Sequence, residues 1–369
     1  MRKRRKRYRI RKKVILLTAV LMAVTFAGYK IVPQITRAVF IFSGGIDFSS
    51  DPENYTGESN YDFFGISEDF DFRNSESPEE SEAEAVSVSV DPGAKPYPEE
   101  WNEGSGQVTA ETFERYTGDK YIGLEKGGQV KNETSVLNSA LIEESRLKPE
   151  FTISKDGTPQ VLIMHTHTTE SFEPYERDNF DSSFNYRTTD PSKNVVMIGD
   201  RITEELENAG FGVIHDTTIH DFPSYNGSYE RSAETVKKIL KENPTIKIVL
   251  DIHRDAIGSS ESILQPTVKI KGKKAAQVMI ISGCDDGTFD MPDYMKNFRF
   301  ASMLQQQLSS DYPGLTRPIL FDYRKYNQDL TTGSLLIEVG SHGNTLEQVS
   351  YSGELIGKSL VKALKKLEE

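Results

Sequence analysis

Short apolar runs, each four to seven residues long, punctuate the second half of this chain. Such runs are typical of buried strands when turn-forming residues bound them. The predicted strands are Val161–Met164, Phe211–Ile214, Ile246–Leu250, Ala276–Ser282 and Ser334–Val339.

Between and after these strands, apolar residues recur every three or four positions, which predicts helices. The first helix stops at Gly210 and the second at Asn243-Pro244, both ordinary helix terminators. The predicted helices lie within residues 195–206, 233–240, 294–308 and 349–367. Alternation of strands and helices predicts an α/β fold, with a mostly parallel central sheet and helices on both faces. We place this folded unit at residues 105–369, with its core at about 158–369.

The amino terminus has a different pattern. Residues 1–13 contain ten Lys or Arg and no acidic residue, and Val14–Tyr29 is uncharged and largely apolar. The apolar run extends to Val32 if the Lys30 side chain reaches the membrane interface, which gives nearly the ~20 residues that a spanning helix needs. We expect a basic cytoplasmic tail (1–13) and a single transmembrane anchor (14–32), with the remainder outside the cell membrane. A cleaved signal peptide is the alternative, since Thr25 and Ala27 suit a cleavage site.

Residues 33–104 are acidic and, in large part, rich in Ser, Pro, Gly and Asn. The whole chain is 36% hydrophobic, and its mean hydropathy is -0.51. The polar, acidic composition of residues 33–104 buries too little apolar surface to offset chain entropy, so we interpret these residues as a disordered spacer.

Charge and cysteine content exclude several classes of protein. The net charge is -12, and beyond the basic tail 34 basic residues stand against 56 acidic ones. An acidic folded region argues against nucleic-acid binding. Cys284 is the only cysteine, which rules out an intrachain disulfide and a cysteine-rich metal site.

Histidines and acids concentrate where predicted strands end. His165, His167 and Glu170 follow the first strand, His253 follows the third, and Glu338 ends the last. Ligands of parallel sheets sit at the carboxyl ends of strands. Two imidazoles, a carboxylate and a water are the ligand set of a catalytic zinc, and a further carboxylate could act as general base.

Each of these residues also has an ordinary interpretation. A short strand alternates its faces every two residues, so His165 and His167 could both face solvent. His215 and His220 are interpreted as satisfied surface residues. The residues alone therefore leave two readings open: a metal hydrolase, and a binding module of the same α/β type.

Four motifs resemble the stage II sporulation protein P family, which is similar to the zinc-dependent N-acetylmuramoyl-L-alanine amidases. They are VLIMHTHTTESF, VLDIHRDA, YNQDL and LLIEVGSHGNTLEQ, within a resemblance that covers roughly residues 110–369.

The resemblance implies a role for each matched residue. His165, Glu170 and His253 are the implied zinc ligands, with His167 as the substitute for His165 and Asp190 as the substitute for Glu170. Glu338 is the implied catalytic acid/base. The implied substrate-groove residues are Arg254, Asp255, Tyr326, Asn327, Gln328 and Asn344.

The resemblance further implies a substrate, a cofactor and partners. The substrate is peptidoglycan, cut at the amide between N-acetylmuramic acid and L-alanine and possibly at stem-peptide cross-links, during wall remodelling in sporulation engulfment. The cofactor is Zn²⁺, and the partners are stage II sporulation proteins D and M. The competing hypotheses are an inactive wall-binding scaffold of the same fold and an unrelated two-metal esterase or phosphoesterase, which Asp190, Asp251 and Asp255 would serve.

Overall fold

A computed structural model describes residues 94–102, 104 and 106–368 of the chain. The predicted basic tail, the predicted anchor and most of the predicted spacer lie outside these described residues. Across residues 94–102, 104 and 106–368, no helix is both long enough and apolar enough to cross a membrane.

The described residues form twelve strands and five helices. The strands are β1 (Gly106–Glu111), β2 (Tyr121–Gly123), β3 (Gln129–Asn132), β4 (Pro159–Met164), β5 (Asn179–Phe180), β6 (Gly212–His215), β7 (Ile248–Asp255), β8 (Ser262–Ile270), β9 (Lys273–Ala276), β10 (Val278–Cys284), β11 (Ile319–Tyr323) and β12 (Gly333–Ser341). The helices are α1 (Asn138–Glu144), α2 (Val196–Asn208), α3 (Ser228–Glu242), α4 (Tyr294–Asp311) and α5 (Leu346–Leu364).

Eight strands form the central sheet, in the order β2-β3-β11-β10-β12-β7-β4-β6. All neighbouring pairs are parallel except β2 with β3 and β10 with β12. The predicted mostly parallel sheet is therefore confirmed.

A second, four-stranded sheet, β5-β1-β8-β9, was not predicted. Its longest strand, β8, has the sequence SILQPTVKI, in which a proline interrupts a mixed apolar and polar pattern. A proline inside a short run argues against a strand in sequence-based reasoning. Here β8 pairs in parallel with β1 and antiparallel with β9, so tertiary pairing overrides that local signal.

The two faces of the central sheet are covered unequally. Val161 and Ile163 of β4 pack with the apolar residues of α2, α4 and α5, whereas Leu162 and Met164 pack with α3. Helices thus lie on both faces, as predicted. On the α3 side, Met279, Ile281, Leu320 and Leu336 form a separate small cluster that contacts Tyr326 of a loop instead of a helix. That side of the sheet consequently has room for a cleft.

Helix ends follow local signals. Helix α2 stops before Gly210, whose φ of 84° is accessible to glycine at little cost. Helix α5 starts with a capping box in which Thr345 and Gln348 satisfy each other's backbone N–H groups. These ends agree with the sequence prediction to within a few residues.

Two boundaries differ from the prediction. Strands β7 and β12 extend to Asp255 and Ser341, so His253 and Glu338 lie inside strands and not after them. Residues 94–102 were placed in the disordered spacer, but they pack on the folded unit: the Tyr97 hydroxyl donates to Phe172 O at 2.8 Å. The folded unit therefore begins before residue 105.

Candidate active site

A cleft of about 760 Å³ opens over the α3 side of the central sheet. Leu336 and Glu338 of β12, His253 of β7 and Ile281 of β10 form its floor. Its walls come from three loops: residues 167–187 after β4, residues 225–230 at the start of α3, and residues 322–326 after β11. The predicted site thus lies on a sheet face, because His253 and Glu338 are inside their strands.

His253 is buried at 3% exposure between two carboxylates. Its Nε2 lies 2.8 Å from Asp251 Oδ1 without aligned hydrogen-bond geometry, and its Nδ1 lies 3.5 Å from Glu170 Oε2. Burial opposes the imidazolium charge, but Asp251 and Glu170 together raise the pKa of His253 well above its ordinary value. The ring is thus held in a negative environment that would also favour a cation.

Asp251 lies beside His253, a contact that sequence reasoning missed. Thr166 donates its backbone N–H and its hydroxyl to the two carboxylate oxygens, at 2.8 and 2.7 Å. Two donors fix the carboxylate against one side of His253. The position of Asp251 two residues before His253, on the same strand face, was the available signal.

The two neighbouring histidines lie in different environments. His165 is fully buried; its Nδ1 lies 3.1 Å from Ile252 O and its Nε2 lies 2.9 Å from His215 Nε2. His167 lines the cleft, its ring centroid is 5.2 Å from that of His253, and its buried Nδ1 has no hydrogen-bond partner. We predicted His165 as the ligand with His167 as its substitute; the geometry favours His167, because both His165 nitrogens already have partners beneath the cleft.

Glu170 is held by contacts on both carboxylate oxygens. Its Oε2 accepts from the Arg254 backbone N–H at 3.1 Å, and its Oε1 lies 3.7 Å from an Arg187 amino group. Burial disfavours the charged form, but His167, His253 and Arg254 outweigh it and lower the pKa of Glu170 far below its usual range. Glu170 is therefore a carboxylate anion beside both imidazoles.

Asp190, the alternative to Glu170, lies elsewhere. Its Oδ1 accepts from the backbone N–H and the hydroxyl of Ser192, at 2.9 and 2.7 Å. This is a local turn, outside the residues that line the cleft. The structure brings Glu170, and not Asp190, together with the histidines.

Glu338 lies on the cleft floor beside His253. Its Oε2 is buried and has no hydrogen-bond partner. Desolvation, together with the nearby Asp255 carboxylate, raises the pKa of Glu338 to about 8. A carboxyl group with this pKa can exchange a proton near neutral pH, which is what acid–base catalysis requires.

The donor types around the cleft fit a zinc ion, although the donors do not converge. His167, Glu170 and His253 supply two imidazoles and a carboxylate, and the unpartnered His167 Nδ1 is a free ligand atom. Among residues 94–102, 104 and 106–368, however, no three His, Cys, Asp or Glu side chains are arranged to hold a metal ion together. The chemistry of the set fits zinc, and its side chains would have to turn to bind it.

Two of the predicted groove residues, Arg254 and Asp255, line the cleft but have structural partners. The Arg254 guanidinium donates to Ser171 O and Tyr186 O, both at 3.1 Å, so it braces a loop instead of facing a substrate. Asp255 Oδ2 lies 2.9 Å from an Arg317 amino group.

The other predicted groove residues are mostly braces. Asn327 donates to Tyr229 O and Ser232 Oγ at 2.9 and 3.0 Å. Gln328 and Asn344 are buried at 1% and 0% exposure, away from the cleft lining. Their side-chain amides bond to neighbouring loops and strands, which explains why polar side chains are buried there. Of the YNQDL motif, Tyr326 lines the cleft.

Aromatic and basic residues of the cleft walls were not predicted. The Tyr229 ring lies parallel to Tyr326, with centroids 5.2 Å apart, and to His253 at 6.5 Å. Tyr225, at 45% exposure, lies 4.6 Å from the His167 ring and contacts the Arg187 guanidinium. No local sequence signal marked these residues, because loops bring them to the site.

Of the two histidines predicted at the surface, His220 is buried and His215 is partly buried. His220 is 2% exposed, and its ring nitrogens lie 2.8 Å from His165 O and 3.0 Å from Thr235 Oγ1. His215 contacts His165 on one nitrogen and Asp200, at 3.1 Å, on the other. The ring nitrogens of His215 and His220 thus have polar partners, as predicted, but these residues support the site from beneath.

Comparison with known proteins gives the family. The sequence model of the family described as stage II sporulation protein P matches residues 51–360 of this chain. A curated relative, stage II sporulation protein P of Bacillus subtilis (strain 168), is 30% identical over 239 residues, which span 60% of this chain and 56% of the relative.

Solved structures match more weakly. The N-acetylmuramoyl-L-alanine amidase AmiC2 of Nostoc punctiforme is 12% identical, covering 56% of this chain and 96% of its own at a TM-score of 0.34. The CwlD amidase of Clostridioides difficile, solved in complex with the GerS lipoprotein, is 14% identical. The match covers 56% of this chain and 98% of the CwlD chain, at a TM-score of 0.32. With the family match spanning most of its length, this chain belongs to the stage II sporulation protein P family.

Proposed function

We propose that this protein is a zinc-dependent N-acetylmuramoyl-L-alanine amidase that hydrolyses peptidoglycan. The observation that carries the proposal is the shared cleft of His167, Glu170, His253 and Glu338, where His167 Nδ1 and Glu338 Oε2 are buried without partners. Buried polar atoms without partners are costly, and a bound ion or a catalytic role is one explanation for such atoms in a cleft.

Three residues would hold the metal: His167, Glu170 and His253. Asp251 would orient His253, since Thr166 fixes its carboxylate against the ring. When bound, zinc would lower the pKa of its water to ~7 and polarise the amide carbonyl.

Glu338 would act as the general base and then the general acid. It would accept the proton of the attacking water and donate that proton to the amino group of L-alanine as its bond to the lactyl carbonyl breaks. Desolvation raises the pKa of Glu338 to about 8. A nearby cation would favour the carboxylate and lower this pKa towards neutral pH. At that point the carboxylate can both take and return a proton during one turnover.

The cleft walls suit a glycopeptide. Tyr225, Tyr229 and Tyr326 offer aromatic faces with polar hydroxyls, and the cleft opens to solvent along the α3 side. One centre of this kind would also have to perform any cleavage of stem-peptide cross-links, because the described residues form one such cleft.

Location and partners complete the proposal. The basic residues 1–13 and the apolar residues 14–32 would anchor the chain in the cell membrane with the folded unit outside, where peptidoglycan lies. Stage II sporulation proteins D and M would act with it in engulfment.

The test uses the purified full-length chain and isolated cell walls. We expect about one zinc per molecule, release of L-alanine amino termini, and loss of that release on chelation with recovery on adding zinc. Wall binding without release of amino termini would instead support the inactive scaffold.

A further inference from the structure

Residues 94–102, termed the strap, run along the outside of the loop that carries Glu170. The first contact of the strap is with Thr188 and Thr189, at the carboxyl end of this loop. The Lys95 backbone donates to Thr189 Oγ1 at 3.0 Å and accepts from the Thr189 N–H at 2.8 Å. The Thr188 hydroxyl also donates to Lys95 O, at 2.6 Å. These bonds join the strap to the loop through the backbone.

The middle of the strap adds aromatic packing. The Tyr97 hydroxyl donates to Phe172 O at 2.8 Å, and the Trp101 ring meets Phe184 edge-on at 5.2 Å. The Arg177 guanidinium lies 4.7 Å from the Trp101 ring centroid. Asn102 closes the strap by donating its N–H to Asp181 Oδ2 at 2.9 Å. The strap therefore contacts the loop along nearly its whole length.

The loop that it contacts, residues 169–190 and here termed the site loop, contains little regular structure, although Arg254 also braces it at Ser171 O and Tyr186 O. It contains a single two-residue strand, β5, and its central residues are largely polar. Loops of this length without regular structure need packing from outside to hold one conformation. Trp101, Phe184, Phe180 and Tyr186 belong to a small apolar cluster separate from the main core, so the strap supplies part of that packing.

The conformation of the site loop determines the position of two residues that line the cleft. The two ends of the loop pair with each other: Thr188 N donates to Thr169 O and Ser171 N donates to Tyr186 O, both at 2.8 Å. Glu170 and Arg187, which line the cleft, form the bridge between these two bonds. The strap bonds to the outer side of this pair at Thr188 and Thr189.

We propose that the strap is a positioning element of the site: Tyr97 and Trp101 hold the site loop in the conformation that places Glu170 and Arg187 in the cleft. The segment leading from the amino terminus is thus part of the catalytic unit and enters it beside the site. The expected change in zinc affinity rests on the proposed function, whereas the expected change in the conformation of the site loop does not.

The test compares four variants of the full-length chain. Trp101→Ala removes the central ring, Trp101→Phe restores an aromatic, and Tyr97→Phe removes only the hydroxyl that binds Phe172 O. The control is Phe151→Ala, because Phe151 is likewise half-buried and packs on Phe300 and Gly333, at the end of β12 remote from Glu338.

Hydrogen exchange of the Thr188 and Ser171 amides is the main readout. We expect exchange at least about tenfold faster in Trp101→Ala, a smaller change in Tyr97→Phe and near-normal exchange in Trp101→Phe. Amides of β12 should be unaffected, and Phe151→Ala should leave the site loop unchanged. Zinc affinity should fall about tenfold in Trp101→Ala alone.

Two outcomes would overturn the proposal: unchanged exchange at Thr188 and Ser171 in Trp101→Ala, or equal acceleration at these amides and in β12, which would make the strap an ordinary part of the global fold. If the unmodified protein neither binds zinc nor releases L-alanine termini, the proposed function fails. The exchange data then still decide the role of the strap.

Discussion

Glu338 on β12 and His253 on β7 are paired in register on neighbouring parallel strands. Their separation is set by the hydrogen-bond ladder of the central sheet, which is among the most rigid parts of a fold. His167 and Glu170 reach the same cleft from a loop. The site therefore combines a rigid half with a half that depends on loop packing.

The first prediction concerns Glu338→Gln. Glutamine keeps the shape of the neutral carboxylic acid, which dominates at pH 7 when the pKa is about 8, so the free energy of unfolding should change little. Zinc content should stay near one per molecule, while the rate of L-alanine release falls by ~10²–10⁴-fold. Loss of zinc would make Glu338 a ligand, and an unchanged rate would remove it from the mechanism.

His165 and His167 should respond in opposite ways to substitution by alanine. His167→Ala removes a cleft side chain with a free nitrogen, so zinc should be lost while thermal stability is kept. His165→Ala removes a fully buried ring and its contacts with Ile252 O and His215, which should lower the free energy of unfolding by about 1–3 kcal/mol. Metal analysis and thermal unfolding of the pair give the answer; zinc loss in His165→Ala alone would restore the original sequence prediction.

Asp251→Asn tests the carboxylate behind His253. The amide cannot supply the negative charge that Nε2 of His253 faces at 2.8 Å, and one of its atoms would oppose a Thr166 donor. Zinc affinity should fall ~10–100-fold, as it does when the carboxylate partner of a metal-binding histidine is removed. A titration with competing chelator measures this; equal affinity in Asp251→Asn and the unmodified chain would contradict an orienting role.

His342 makes stability depend on pH. It is partly buried against Tyr186, and desolvation, with the nearby Arg254 cation adding to it, lowers its pKa to about 3. The unfolded chain binds this proton near pH 6.5, while the folded protein does not. The free energy of unfolding should therefore fall by ~1.4 kcal/mol per pH unit below about pH 6.5 from this group. Urea unfolding at pH 7, 6 and 5 should show a weaker slope for His342→Gln; parallel pH profiles for the two proteins would disprove this assignment.

Local pattern in the sequence was enough for the framework of the fold. The predicted strand at Val161–Met164 and the predicted helix ending at Gly210 appear as β4 and α2, because apolar periodicity reflects which side of an element is buried. Strands β1, β3 and β8 were missed, since β1 pairs with β8 and β3 pairs with β11, partners that are distant in the sequence.

For the site, the sequence determined the chemical inventory: three histidines and two glutamates near the ends of predicted strands, with motifs of a known family. It did not determine which histidine faces the cleft. His165 and His167 differ only in what surrounds them, and their surroundings are β7, His215 and Tyr225, which other parts of the chain supply.

Tertiary structure likewise decided which polar residues act as braces. Gln328 and Asn344 belong to family motifs, yet their amides satisfy buried backbone groups, and the strap that looked like spacer holds the loop of Glu170. The sequence by itself fixes local periodicity and the identity of reactive groups, because these depend on neighbouring residues. The orientation of each group depends on long-range packing and hydrogen bonds, and only the folded chain contains those.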